Sequence, residues 1–317
     1  MTVSTISTTA GKRSVAERHS RISTDDGVNL AVRTIGADDA DLTVVLLHGH
    51  CLRSQSWSYV RELLAELPRR VRIVSYDHRG HGDSDAADPA GYTLNRLARD
   101  LHTVLDRTAG TGRVVLVGHS MGGMTALTYT RMYAQEVGNR IAGVALIATA
   151  ASDLPDSGFG RFLHNPVISW FQAATRRAPR TVQGAKKVCC RVFAPVIRAA
   201  EFGRSVNPRV VALANAMHNE TPIETMASFL SEFMVYDESA ALPALGAVPT
   251  IVLCGSVDLM TPPVHSVAMA AAIPGAKLID VTDAGHAVIM ERPEVVAAAI
   301  GDLLDAVRHA SELAPAA

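Results

Sequence analysis

In VLVGHSMGG (115–123) a serine, Ser120, stands between Gly118 and Gly122 in the order G-x-S-x-G, where an apolar run gives way to a helical one. A chain that turns from strand to helix at one residue forces that residue into a strained backbone conformation, and small neighbours relieve the crowding. The turn also holds the serine hydroxyl at a helix start, where the dipole and unbonded N–H groups favour developing negative charge. The chemistry this permits is nucleophilic attack. A hydroxyl is a poor nucleophile until a base takes its proton, and the base needs an acid to hold its tautomer. Twelve histidines compete for the base. The bland alternative is a Gly-rich turn whose serine merely caps the following helix.

The elements that must position such groups are read from hydrophobic period. RISTDDGVNLAVRTIG (21–36) alternates about Asp26-Gly27 and predicts a hairpin. TVVLLHG (43–49), RIVSYD (72–77), RVVLVG (113–118), IAGVALIAT (141–149) and TIVLCG (250–255) are short apolar runs of the kind buried on both sheet faces. SWSYVRELLAEL (56–67), TLNRLARDLHTVLDRT (93–108) and TALTYTRMYAQEV (125–137) lie between them with helical spacing. This alternation predicts right-handed crossovers and an α/β fold with a mostly parallel central sheet flanked by helices. From 150 to 238 the rhythm breaks into helix-like pieces punctuated by Pro155, Pro166, Pro179, Pro195 and Pro208. It then resumes with TIVLCG, a helix over 264–272, KLIDV (277–281) and a last helix from Pro293. The expected organisation is a flexible leader (1–18), a core (19–149 and 239–317) and an inserted helical cap (150–238).

Composition narrows the class. The chain has 317 residues, 48% of them hydrophobic, enough for a sizeable core and against disorder. With 30 Lys+Arg against 31 Asp+Glu, the overall charge gives no reason to expect nucleic acid or an anionic membrane as partner, local patches aside. No strongly basic amphipathic face is read in the cap, and no apolar run is long enough for stable membrane insertion. Cys51, Cys189, Cys190 and Cys254 fit neither a disulfide framework nor a zinc site and are read as reduced thiols. The Ser/Thr-rich start lacks the apolar stretch of a secretory signal, so a cytoplasmic protein is the default.

VVLLHGHC, SYDHRGHGDS, VGHSMGG, LCGSVDLMTP and DAGHAVIMERPE, in this order, resemble the successive motifs of the α/β-hydrolase fold family, especially its esterase and lipase-like members. The likeness covers nearly the whole chain outside the leader and the cap. It is specific for fold and far less so for substrate. It implies that His286, on the loop after KLIDV, is the base, which agrees with the chain order Ser…Asp…His. It implies Asp258, after TIVLCG, as the acid; Asp153 is the rival, since some members carry their acid after the preceding strand. Asp283 is read as loop-shaping, His48 and His119 as structural, His81 as part of a turn, and His218 as a surface or core residue. A tetrahedral oxyanion needs about two donors. The elbow offers the Met121 N–H, and the resemblance implies the backbone N–H of His50, whose side chain is expected to point to solvent. In SYDHRGHGDSD, Gly80 and Gly82 permit a tight turn that Asp77 and Arg79 can fix. The glycine spacing there matches no phosphate-cradling loop.

The cap is apolar, and Phe229 and Phe233, at helical spacing, are read as its core. The expected activity is that of a serine hydrolase cleaving a small hydrophobic ester through an acyl-enzyme on Ser120, with no metal or organic cofactor. The same residues could act on a thioester, lactone or C–C bond, or serve a slow-turnover sensor. Reactions that need an aspartate nucleophile are disfavoured by Ser120. The oligomeric state is left open.

Overall fold

Apolar runs with no polar face require a sheet covered on both sides, and that is what the chain builds. The computed structural model describes residues 3–4, 17–37, 39–67 and 70–313. In chain order the strands are β1 (Val3–Ser4), β2 (Glu17–Ser23), β3 (Asn29–Ile35), β4 (Leu42–Leu47), β5 (Val71–Tyr76), β6 (Arg113–His119), β7 (Ile141–Ile147), β8 (Thr250–Gly255) and β9 (Lys277–Val281). The helices are α1 (Ser58–Ala65), α2 (Leu94–Thr108), α3 (Met121–Met132), α4 (Pro166–Arg177), α5 (Pro179–Glu201), α6 (Pro208–Glu220), α7 (Ile223–Val235), α8 (Pro263–Ala272), α9 (Val288–Glu291) and α10 (Pro293–Leu313). One sheet holds the strands in the order β1-β2-β3-β5-β4-β6-β7-β8-β9. It is antiparallel from β1 to β5 and parallel from β5 onward.

Alternate residues of a strand face opposite sides, so β4 and β6 feed two cores at once. Val44, Leu46, Val115 and Val117 pack with Trp57, Val60 and Leu64, and with Leu303 and Val307 of α10. Val45, Leu47, Val114 and Leu116 pack on the other side with Leu101 and Leu105 of α2 and Leu127 of α3. Among the described residues, 150–238 holds helices and no strand. Its last helix, α7, brings Phe229 and Phe233 onto Met121 and Met124 of α3, Leu97 of α2 and Leu154. No helix among the described residues is long and apolar enough to cross a membrane.

The leader differs from expectation near both ends. Most of 1–18 lies outside the described residues, but Val3 and Ser4 form β1, paired with Arg18 and Glu17, and those two already belong to β2, with Arg18 opposite Thr34. An outer strand with a solvated face carries no apolar alternation at its start, so periodicity stops short there. The side chains of Cys189, Cys190, Lys187 and Phe193 lie outside the described residues. Cys51 and Cys254 are buried thiols outside any disulfide, and burial pushes the Cys254 thiol up.

The polar turn after β5 is structural. Asp77 accepts the Ser54 N–H (2.7 Å) and the Asp83 N–H (2.9 Å), and a Cβ on Gly82 would lie 2.3 Å from its carboxylate. Arg79, fully buried, donates to both oxygens of the equally buried Asp100 at 2.7 and 2.8 Å and reaches Asp26 across the hairpin turn. Removing one partner of such a pair strands a buried charge. Asp100→Ala is therefore expected to cost about 3–5 kcal/mol, read by denaturant unfolding. Asp25→Ala, which removes an exposed partner of Arg96, should cost less than about 1 kcal/mol.

Candidate active site

The site begins with a backbone constraint. Between β6 and α3, Ser120 adopts φ 53° and ψ −120°, a region side chains rarely occupy. The crowding is severe: a Cβ on Gly118 would lie 2.4 Å from the Gly122 carbonyl oxygen, and one on Gly122 would lie 2.3 Å from the Leu47 carbonyl oxygen. Only glycine lets α3 begin against the end of β4. The Ser120 side chain makes no capping bond to α3, which removes the reading of it as a mere helix cap. Its Oγ–H instead donates to His286 Nε2 at 2.9 Å.

His286 sits on the loop between β9 and α9, and its Nδ1 lies 2.9 Å from Asp258 Oδ2. A carboxylate only accepts, so Nδ1 carries the hydrogen and Nε2 is left as the acceptor for Ser120. Asp258, after β8, is held by the Met260 N–H (2.8 Å) and Thr261 N–H (2.9 Å) on Oδ1 and by the Thr261 hydroxyl (2.9 Å) on Oδ2. Its rival Asp153 is exposed in a left-handed turn, where Ser152 Oγ–H donates to it. The structure thus brings Ser120, His286 and Asp258 together and leaves Asp153 outside. Burial alone would lower the pKa of His286; the carboxylates of Asp258, then Glu201 and Glu291, outweigh it and raise the pKa above the ordinary 6.5.

The other histidines near the site differ in kind. His48 Nδ1–H donates to the Gly49 carbonyl (2.8 Å) and its Nε2 accepts the His78 N–H (2.8 Å). His81 Nδ1–H donates to the Arg79 carbonyl (3.0 Å), and its Nε2 accepts the Cys51 N–H (3.2 Å). His119 Nε2–H donates to the His286 carbonyl at 2.8 Å and steadies that loop. Burial holds His48, His81 and His119 at about 3, so they are neutral struts.

His50 departs from expectation. Its ring is only partly exposed; it packs edge-on against His81, Phe229 and Phe233 at centroid distances of 5.7, 5.6 and 5.3 Å. Burial first, then His81, lowers it to about 3. The cause is α7, which closes over the loop after β4 from a distant part of the sequence. Phe229 and Phe233, read as cap core, therefore also form a wall beside that loop. Gly49 brings the loop close: a Cβ there would lie 3.1 Å from Ser120 Cβ. The segment that carries His50 thus runs against Ser120, while Met121 follows Ser120 directly as the first residue of α3.

Sequence reasoning passed over Thr261, Glu291 and Glu201, and read His218 only as a surface or core residue. Thr261 locks Asp258, and its signal was present: an aspartate with Thr three positions on and Pro262-Pro263 behind it opens a turn in which the carboxylate can bond N–H groups a few residues on. Glu291 accepts the Gly285 N–H (2.9 Å) and Gly203 N–H (2.8 Å), stapling the His286 loop to the turn after α5. His218 Nε2 lies 3.3 Å from Glu201 Oε1, and Glu201 offers its carbonyl to the Ala287 N–H at 3.0 Å. Burial opposes the charge on His218, but Glu201 overrides it and raises the pKa. No local pattern marks these last three, whose partners come from other elements.

The family model described as "Alpha/beta hydrolase family" matches residues 44–299. "Proline iminopeptidase PfmaB" of Pestalotiopsis fici is 27% identical over 86% of this chain and 94% of its own length. "Cis-3-alkyl-4-alkyloxetan-2-one decarboxylase" of Shewanella oneidensis is 26% identical over 80% and 79%. Among solved structures, a thermophilic esterase from Thermogutta terrifontis has a TM-score of 0.74 at 30% identity, covering 92% of this chain and 99% of that one. The enol-lactonase from Burkholderia xenovorans has a TM-score of 0.72 at 25% identity, covering 90% and 100%.

The contrast among the histidines is open to NMR. The His286 ring should titrate above 6.5 in the wild type and at lower pH in Asp258→Asn, because the largest opposing influence to burial is gone. His48, His50, His81 and His119 should stay neutral to about 3 in both proteins. A His286 midpoint unchanged by Asp258→Asn would contradict the assigned pairing.

Proposed function

We propose that this chain, which belongs to the alpha/beta hydrolase family, cleaves a carboxylic ester with an apolar acyl group through an acyl-enzyme on Ser120. The observation that carries the reading is the unbroken relay from Ser120 Oγ to His286 Nε2 and from His286 Nδ1 to Asp258, each link 2.9 Å. His286 takes the hydroxyl proton as Ser120 Oγ bonds to the ester carbon. The backbone N–H groups of Met121 and His50 receive the oxyanion. The tetrahedral intermediate then expels the alcohol oxygen, which leaves with the proton from Nε2. Water repeats the sequence: Nε2 takes its proton, the hydroxide oxygen bonds to the acyl carbon, and the acid departs as Ser120 regains its proton. Asp258 stays ionised throughout, holding Nδ1–H and stabilising the imidazolium.

The apolar acyl group is suggested by Leu154, Met124, Phe229 and Phe233, which cluster where the cap meets α3. A lactone is the second reading. An enol-lactonase stands among the structural relatives, and the Glu201–His218 pair near His286 supplies polar groups that a simple acyl chain does not need. A slow-turnover sensor with the same residues would bind tightly and turn over substoichiometrically.

Wild type and Ser120→Ala should be compared on p-nitrophenyl esters from acetate to palmitate, with a fluorophosphonate probe alongside. Rapid multiple turnover that rises beyond acetate is expected, with probe labelling lost and kcat reduced by about 10⁴-fold or more in the variant. Absence of labelling in folded wild type would sink the nucleophile. The base must be neutral to act, so kcat/KM should rise with pH through the His286 pKa, with a midpoint above 6.5. Asp258→Asn should lower kcat by about 10²–10⁴ and move that midpoint to lower pH.

A further inference from the structure

The near-zero net charge conceals a strong local asymmetry. Residues 157–200 contain eight Lys+Arg and no Asp or Glu. This differs from the sequence reading, in which no strongly basic amphipathic face was found in the cap. The basic pair Arg176-Arg177 is plain in the sequence, but which side of the helix stays exposed beside it is not, and the structure supplies that face.

At about 100° per residue, Ile168, Phe171, Gln172 and Thr175 fall on one side of α4 and Val167, Trp170, Ala174 and Arg177 on the other. The first side is held inward: Gln172 Nε2–H donates to the Ala227 carbonyl and to Ser231 Oγ of α7, both at 2.9 Å, and Thr175 is buried. Among the described residues nothing covers the second side. Trp170 is 81% exposed and Val167 67%, while Phe162, in the turn before the helix, is 56% exposed. Arg161, Arg176, Arg177 and Arg180 are exposed around them.

We propose that this face of α4, with Phe162 and the start of α5, docks on an anionic phospholipid surface. The cations provide the attraction, worth about 1 kcal/mol, or roughly fivefold in partition, for each Lys or Arg near such a surface. Trp170, Val167 and Phe162 supply apolar area that can enter the headgroup boundary, where the indole's amphipathic ring is favoured. Apolar groups exposed alongside these arginines favour lipid over nucleic acid or an acidic protein, which would satisfy the charges and leave Val167 and Phe162 in water. Seating α4 on a bilayer would also bring its partner α7, and so the wall of Phe229 and Phe233, toward the lipid.

The chain contains two tryptophans, and Trp57 is fully buried, so a change of indole emission on docking reports Trp170. Full-length protein would be pelleted with sucrose-loaded vesicles of phosphatidylcholine alone or of equimolar phosphatidylcholine and phosphatidylglycerol, at low and high salt. The expected result is pelleting with the anionic vesicles only, weakened by salt, with emission moved to shorter wavelength and reduced quenching by acrylamide. Trp170→Ser should weaken partition, and Arg176→Glu with Arg177→Glu should weaken it about tenfold or more. Both should leave the melting temperature unchanged, since the face is exposed. Equal binding to neutral vesicles, no binding at all, or anionic binding without an emission change in wild type would overturn the proposal. Binding to DNA or to polyglutamate instead of vesicles would assign the patch to another partner and overturn it equally. None of these readouts depends on ester hydrolysis.

Discussion

The whole site depends on a close approach of backbone to backbone. β4, β6 and α3 converge so tightly at Ser120 that positions 118 and 122 have no room for a side-chain carbon. That contact holds Ser120 at positive φ and lifts its hydroxyl off the helix it begins. The strain is tolerated because the elements around it are fully packed on both faces of a parallel sheet. Gly49 belongs to the same constraint, since it brings the loop after β4 against Ser120.

Around that turn, charge is assigned by burial against carboxylates. Most histidines near the site are buried without an acid and are held neutral, which lets them act as fixed donors and acceptors for loops. His286 is buried too, but it bonds Asp258 and lies near Glu201 and Glu291, and its proton affinity rises. One type of side chain thereby serves as scaffold and as titrating group within a few ångströms; His119 donates to the carbonyl of His286 itself. The separation is physical and needs no difference in residue type.

The helical stretch between β7 and β8 faces two ways. Inward, Phe229 and Phe233 of α7 close over the loop of His50, and Glu201 at the end of α5 binds the loop of His286. Outward, α4 presents Trp170 and a run of arginines to solvent. The inner contacts join this stretch to both loops that flank Ser120, so a movement of these helices would be felt there.

Much of this was legible in the chain itself. Apolar runs of strand length, helical spacing between them, and glycines beside Ser120 follow from local geometry, and local geometry is written in neighbouring residues. The same holds for Asp26-Gly27 at the hairpin and for the turn at Asp77. The order of motifs pointed to Ser120 and His286 and preferred Asp258 over Asp153 as the carboxylate, and the fold places His286 within hydrogen-bond distance of both Ser120 and Asp258. What neighbours could not determine was anything set by distant packing. The orientation of His50 waits on α7, and the rejection of Asp153 waits on where its turn leaves it. Glu201, His218 and Glu291 matter through loops far away in sequence. The basic face of α4 lies between these cases: its charges are plain in the sequence, but only the fold shows which side of the helix is left without a partner. Burial is a property of the assembled whole, and burial decides both the charge of a histidine and the exposure of a tryptophan.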